Sequence, residues 1–236
     1  MREITSRENK EIKLYLSLLN KKARDENQLF LAFGPDFLKE AYSANLVKEV
    51  ISADLADSPT ILVTSALFNL FKQTKTELSP ITVCKIPATK TYSDKILCLG
   101  DIQDPRNVGA LIRSAVAFGF KTVILSKQTA DAFGETAVRV SKGAIFKCSI
   151  IRADLGEELT KLKEKGYEII GTEHTKPNNF VPNKTKKLAL VLGNEGAGIP
   201  LELKPILDTN FKIETEEVES LNVAVAGAIA MHEIRK

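Results

Sequence analysis

The 236-residue chain has no tryptophan, two histidines and three cysteines, and aromatic residues make up only 6% of it. So few rings argue against a stacking platform for single-stranded RNA. His174 and His232 stand in no H-E-x-x-H or comparable spacing, so no metal is expected. Cys84, Cys98 and Cys148 form no C-x-x-C pair, and lying in or near apolar runs they read as buried free thiols in a reducing compartment. No apolar run reaches the ~18 residues a transmembrane helix needs. The opening MREITSRENKEIK is charged throughout and lacks the apolar core of a secretory signal, which leads to the expectation of a cytoplasmic protein without a membrane partner. Charge of one sign is missing too: 33 basic and 30 acidic residues leave a net +3, too little to identify a nucleic-acid partner by itself. Neither G-K-[ST] nor G-x-G-x-x-G occurs, which excludes the common phosphate and dinucleotide loops.

What is present is a globular composition, 44% hydrophobic and 27% charged, which excludes a disordered tail or a collagen-like chain. No internal repeat runs along it. A polar stretch with a proline, Ile86 to Asp94, separates two modules: residues 1–88, a linker at 89–94, and residues 95–236. In the first module the pattern predicts a helix from Arg7 to Arg24, strands at Leu29–Phe33, Val47–Ser52, Ile61–Val63 and Ile81–Ile86, and a helix at Ala66–Lys72. In the second it predicts strands at Ile96–Gly100, Thr122–Leu125, Lys147–Ile151, Glu168–Thr172 and Leu188–Gly193, with a weaker one at Phe211–Ile213. Helices are predicted at Asn107–Phe118, Glu135–Val140, Gly156–Glu164 and Leu221–Ile234. Alternating strands and helices with apolar runs such as LALVLG mean an α/β fold around a mostly parallel sheet covered on both faces.

In the first helix Thr5 and Glu8 have capping-box spacing. At about 100° per residue, Lys10, Lys13, Lys21 and Arg24 share a stripe opposite Ile12, Leu16 and Leu19. That stripe fits both a solvated face and a row of cations matched to a phosphate backbone.

Three clusters carry chemistry. In DIQDPRNVGALIRSAVAFG a strand enters a loop; Asp104 caps the next helix, Pro105 opens it and Gly119 suits its left-handed end. Asn107 and Arg113 are six residues apart, about 240° around the axis, so they do not share a face. Polar residues at this place, beyond the carboxyl end of a strand, sit where open α/β sheets bind ligands, although a surface role for both is equally compatible with local physics. In LALVLGNEGAGIP a buried strand runs into three glycines within six residues, which lets backbone approach a ligand or simply makes a tight turn. Glu195 there favours a neutral or cationic ligand over a nucleotide triphosphate. In ESLNVAVAGAIAMHE, Ser220 can cap a helix whose small residues let another element come close. No adjacent histidine makes Ser220 a hydrolase nucleophile.

In this order the three clusters, with VRVSKGA at Val138–Ala144, resemble the SPOUT superfamily, specifically its SpoU–TrmH branch of RNA ribose 2′-O-methyltransferases. The likeness runs from about Ile96 to the C-terminus. ITSRENKEI and QLFLAFGPDFLKEA are similar to that family's small α/β substrate-binding domain. The resemblance implies a trefoil-knotted C-terminal domain, S-adenosylmethionine as methyl donor, RNA as substrate (ribosomal or transfer RNA, ribosomal favoured), and a homodimer whose active site draws on both subunits. It assigns Asn107, Arg113, Glu195, Ser220 and Asn222 to the substrate and catalytic side. Leu192, Gly193, Asn194, Gly196, Gly198, Ile213 and Leu221 go to the cofactor, while the helical stripe of Lys10, Lys13, Lys21 and Arg24 is the candidate for RNA contact. Family proposals make the arginine at the position of Arg113 the base, but a guanidinium rarely loses its proton. Binding the target phosphate and stabilising developing alkoxide charge is the favoured role. The chain departs from the family after Ile213, where Glu214, Thr215 and Glu217 replace a proline, a hydrophobic residue and a glycine. That departure supports the rival reading, a non-catalytic RNA-binding protein that keeps the fold.

Overall fold

The computed structural model describes residues 1–72, 79–88, 92–173, 176–181, 187–218 and 220–235. In chain order the first elements are β1 (Arg2–Ile4), α1 (Lys10–Ser17), α2 (Lys21–Asn27), β2 (Leu29–Phe33), α3 (Pro35–Ser43), β3 (Val47–Ser52), β4 (Ile61–Val63), α4 (Ser65–Phe68) and β5 (Ile81–Lys85). They are followed by β6 (Lys95–Leu99), α5 (Pro105–Ala117), β7 (Thr122–Leu125), α6 (Glu135–Ser141), β8 (Ser149–Arg152) and α7 (Leu155–Glu164). The last are β9 (Glu168–Gly171), β10 (Leu188–Leu192), β11 (Thr209–Asn210) and α8 (Val223–Ile234).

The chain forms two compact units, residues 1–88 with 133–146, and residues 89–132 with 147–236. Residues 133–146 thus group with the first unit, although their place in the sequence put them in the second module. The cause is aromatic packing, since Phe133 and Phe146 stack on Phe30 of β2 at ring separations of 5.0 and 5.8 Å. Part of the predicted linker, residues 89–91, lies outside the described residues.

The first unit is a five-stranded sheet in the order β1-β4-β3-β5-β2, with β1 and β3 parallel to β4 and with β5 antiparallel to its neighbours β3 and β2. The predicted helix from Arg7 to Arg24 is two helices, because asparagines cap each: Asn9 accepts from the amides of Glu11 and Ile12, and Asn20 from that of Lys22. Asn9 also displaces the expected Thr5–Glu8 capping box; the Glu8 amide donates to Ser6 Oγ instead. With the axis broken at Leu18, the single cationic stripe no longer exists. Arg24 is 7% exposed and its guanidinium donates to the Leu18 carbonyl at 2.6 Å, so it stabilises the elbow rather than facing solvent. Lys10, Lys13 and Lys21 are exposed, Lys13 paired with Glu8 and Lys21 with Asp25. The helix predicted at Ala66–Lys72 is the single turn α4 followed by a 3-10 turn at Asn69–Phe71.

The second unit holds a six-stranded sheet, β11-β9-β10-β6-β7-β8, parallel throughout. Its strands alternate in direction of side chain, so Ala189 and Val191 join Leu159, Leu162 and Leu203 in one core, while Leu192 meets α8 on the other face. A Cβ on Gly227 would lie 2.5 Å from Leu111 Cδ2 and 2.6 Å from Leu192 Cδ1, so glycine there is what lets α8 settle against α5 and β10. At Gly119 (φ +84°) α5 ends as predicted, with the Phe120 amide donating back to the Ala115 carbonyl. The strand expected at Phe211–Ile213 is instead the two-residue β11 just before it, with the Phe211 amide still donating to the Gly171 carbonyl of β9 at 2.9 Å. The cap of α8 is Asn222, not Ser220: its Oδ1 accepts from the amides of Ala224 and Val225, which starts the helix two residues later than predicted. All three cysteines are buried and none is in a disulfide, and burial pushes the Cys148 thiol up to about 12.

Candidate active site

Every strand of the parallel sheet leads its carboxyl end toward the same edge, and the loops after β6, β9 and β10 meet there. The loop after β10 is a small hairpin in which the amides of Asn194 and Gly198 donate to each other's carbonyls at 2.9 Å. Gly193 makes it possible, because a Cβ there would lie 2.1 Å from the Gly198 carbonyl carbon. Gly198 itself turns through φ +71°, open to glycine at no steric cost. Asn194 Oδ1 then accepts from the amides of Gly196 and Ala197, fixing the tip.

Against this hairpin lies a cavity of about 320 Å³, in the size range of small-molecule sites. Leu192, Gly193, Asn194, Gly196, Gly198, Ile213 and Leu221, all assigned to the cofactor by resemblance, line it, together with Glu195 and Ser220. The sequence reading missed Thr172, Glu173, Phe211, Lys212, Thr215, Val223 and Ala226 in the same wall. Thr172 and Glu173 follow directly from the end of β9, a position that parallel-sheet logic marks as ligand-facing.

At the mouth three side chains form a chain. Asn107 Nδ2 donates to Glu195 Oε1 at 2.7 Å, and Asn222 Nδ2 donates to Asn107 Oδ1 at 3.2 Å. The first residues of α5, the glycine hairpin and the start of α8 thus converge through these contacts, which join residues 88 and 115 positions apart in sequence. Asn107 Nδ2 carries a second amide hydrogen that these contacts do not use. Arg113 is not among them. It is exposed on α5 and makes no hydrogen bond or ion pair to any described residue, as the 240° offset from Asn107 foretold.

The cavity lining carries charge of both signs, with Lys212 beside Glu173 and Glu195. Glu195 stands at its rim and Glu173 in its wall. Burial would raise the Glu173 carboxyl, but hydrogen bonds from Lys176 and Lys204, at 2.6 and 2.5 Å, outweigh it and hold the group below the usual carboxylate range. The unusual acids after Ile213 stay outside: Glu214 and Glu217 are exposed, while Thr215 faces the cavity and closes the loop by donating to the Val218 carbonyl at 2.7 Å. Lys212 pairs with Glu214 at 2.9 Å. Among the described residues no cluster of three or more His, Cys, Asp or Glu could hold a metal ion, and no helix is long and apolar enough to cross a membrane.

Residues 94–232, a span that includes every residue lining this cavity, match the model of the SpoU rRNA methylase family. The chain belongs to that family. Within it, the 23S rRNA (guanosine(2553)-2′-O)-methyltransferase RlmP of Bacillus subtilis is 33% identical over 248 residues, covering all of both chains. The AdoMet-bound rRNA methyltransferase of Sinorhizobium meliloti superposes with a TM-score of 0.85 at 24% identity, over 99% of this chain and 97% of that one. The SpoU methyltransferase AviRb of Streptomyces viridochromogenes, in complex with AdoMet, gives 0.79 at 20% identity over 96% and 97%. Both structures share the SpoU methylase fold of this chain.

Proposed function

We propose that the chain transfers the methyl group of S-adenosylmethionine to a ribose 2′-hydroxyl of RNA, ribosomal rather than transfer RNA, in the cytoplasm. The observation that carries this reading is the Glu195–Asn107–Asn222 chain of hydrogen bonds, which reaches a glycine-lined cavity through Glu195. The residues present fit the cofactor: a hairpin that exposes backbone for an adenosine, no lysine in the glycine loop to grip a triphosphate, and the Glu195 carboxylate, which no lysine or arginine among the described residues pairs, for a cation. Leu192, Gly193, Asn194, Gly196, Gly198, Ile213 and Leu221 would hold it. When bound, it supplies a methyl carbon already made electrophilic by its cationic sulfur, so the protein's task is alignment and handling of one proton. Asn107, oriented by Glu195 and Asn222, directs an amide hydrogen at the ribose. Ser220 lies within reach of the same mouth, and Arg113 contributes its planar fork to the target phosphate and the reacting oxygen.

Arg113 stands apart from the cavity of its own subunit, which supports a homodimer with a composite active site. Val225 and Ile229 strengthen it: one turn apart on α8, they leave apolar surface 50% and 38% exposed. The C-terminal segment is taken to thread the trefoil knot that the resemblance implies. Titration calorimetry tests the cofactor claim. S-adenosylmethionine and its demethylated product should bind, with ATP and NAD far weaker; tighter binding of ATP would overturn it.

The first unit is assigned to RNA. Lys10, Lys13 and Lys21 are exposed cations on α1 and α2, and Arg24 is withdrawn from the set because it is buried. Replacing the three lysines with Gln should lower the slope of log affinity against log salt by about 0.7–0.9 for each phosphate that is no longer neutralised. Unchanged RNA affinity and slope would make that face merely solvated.

A further inference from the structure

Asp101 follows β6 with φ +58°, a left-handed conformation that is uncommon for residues with a Cβ and that Asp reaches with the help of local hydrogen bonds. Here the holder is Ser126. Its Oγ accepts from the Asp101 amide at 3.0 Å and donates to Asp101 Oδ1 at 2.7 Å. Ser126 is in turn fixed within the turn after β7. Its amide donates to the Leu99 carbonyl, and the Arg152 guanidinium donates to the carbonyls of Ser126, Thr129 and Ala130 at 2.7, 2.6 and 3.0 Å. Four groups of an otherwise unladdered turn are thereby pinned.

The consequence reaches the cavity. In its held conformation Asp101 presents its carbonyl to Asn194, whose Nδ2 donates to it at 3.0 Å, while Asn194 Oδ1 accepts from the Gly196 and Ala197 amides at 2.9 and 3.0 Å. A side-chain amide gripped at both ends has one orientation, and the glycine hairpin takes its shape from it. We infer that Ser126 is a positioning residue for the cofactor loop, acting through the backbone of Asp101 and the side chain of Asn194. The functional part of this inference rests on the methyltransferase reading above. Neither Ser126 nor Asp101 lines the cavity, so neither contacts the ligand.

The left-handed conformation supplies the test. Glycine adopts it freely and leaves the carbonyl in place, whereas a β-branched residue resists it. Asp101→Val should therefore weaken S-adenosylmethionine binding about tenfold, and Asp101→Gly by no more than about threefold. Ser126→Ala should weaken it about fivefold, and the double variant Ser126→Ala/Asp101→Gly should recover most of that loss. In steady-state assays KM for the cofactor should rise while kcat holds. A second readout needs no cofactor: hydrogen exchange at the Gly196 and Ala197 amides should speed up in Ser126→Ala and Asp101→Val and not in Asp101→Gly. Equal losses for Gly and Val at position 101, or unchanged exchange in Ser126→Ala, would overturn the inference. Normal exchange effects in a protein whose parent binds no S-adenosylmethionine would instead overturn the functional reading and leave the coupling standing.

Discussion

Arg113→Lys should lose about 100–1,000-fold in turnover, the usual cost of removing one preorganised donor from a reacting oxygen. Lysine keeps the charge but not the planar fork that grips two oxygens at once. Cofactor affinity should not change, because Arg113 is not among the residues that line the cavity and makes no hydrogen bond or ion pair to them. Single-turnover methyl transfer beside a cofactor titration separates the two quantities. Near-normal transfer by the lysine variant would reduce Arg113 to a point charge, and failure to bind cofactor with the fold intact would put it in the wrong pocket. The composite site adds a sharper expectation. Mixing Arg113→Lys with Glu195→Gln, each inactive alone, should restore part of the activity, since a mixed dimer contains one site built from two unaltered contributions. No recovery on mixing would mean that each subunit completes its own site.

Gly193→Ala should weaken S-adenosylmethionine binding about 100-fold, the upper end of what overpacking by one methyl group costs. The methyl would meet the Gly198 carbonyl carbon and oxygen and the Ile199 nitrogen at 2.1–2.2 Å. These are backbone atoms and cannot rotate away, so the Asn194–Gly198 hairpin must open. Gly196→Ala is the comparison: a Cβ there meets only Asn194 Oδ1 at 3.7 Å, ordinary contact. The hairpin should survive it, so any loss at Gly196 reports a clash with the ligand. Equal affinity for parent and Gly193→Ala, with thermal unfolding unchanged, would show that the hairpin is not the cofactor's support.

The parallel sheet was legible because its strands are apolar on both faces. Thr122–Leu125 is met residue for residue, and LALVLG differs by one residue at its end. The first unit was harder. β1 is three residues of a sheet edge, two of them exposed and charged, and carries almost no hydrophobic pattern. α3 begins at Pro35 after Gly34 with no side-chain cap, so the usual start signal is absent. The break between α1 and α2 turned on Asn9 and Asn20, whose capping geometry competes with an unbroken helical stripe. At the site, Asn107, Glu195 and Asn222 could be named from motif order, but their hydrogen bonds span sequence distances that no local pattern reports. Glu173 was missed for a related reason: a buried carboxylate becomes tolerable only through Lys176 and Lys204, and the second of these comes from a distant turn.

The most direct measurement is methyl transfer itself. The purified protein is incubated with methyl-labelled S-adenosylmethionine and unmodified ribosomal RNA, and the RNA is digested to nucleosides. Label in a 2′-O-methylated nucleoside, lost in Arg113→Lys, is the predicted result. Label on a base, or no transfer to any RNA by a protein that binds the cofactor, would contradict it.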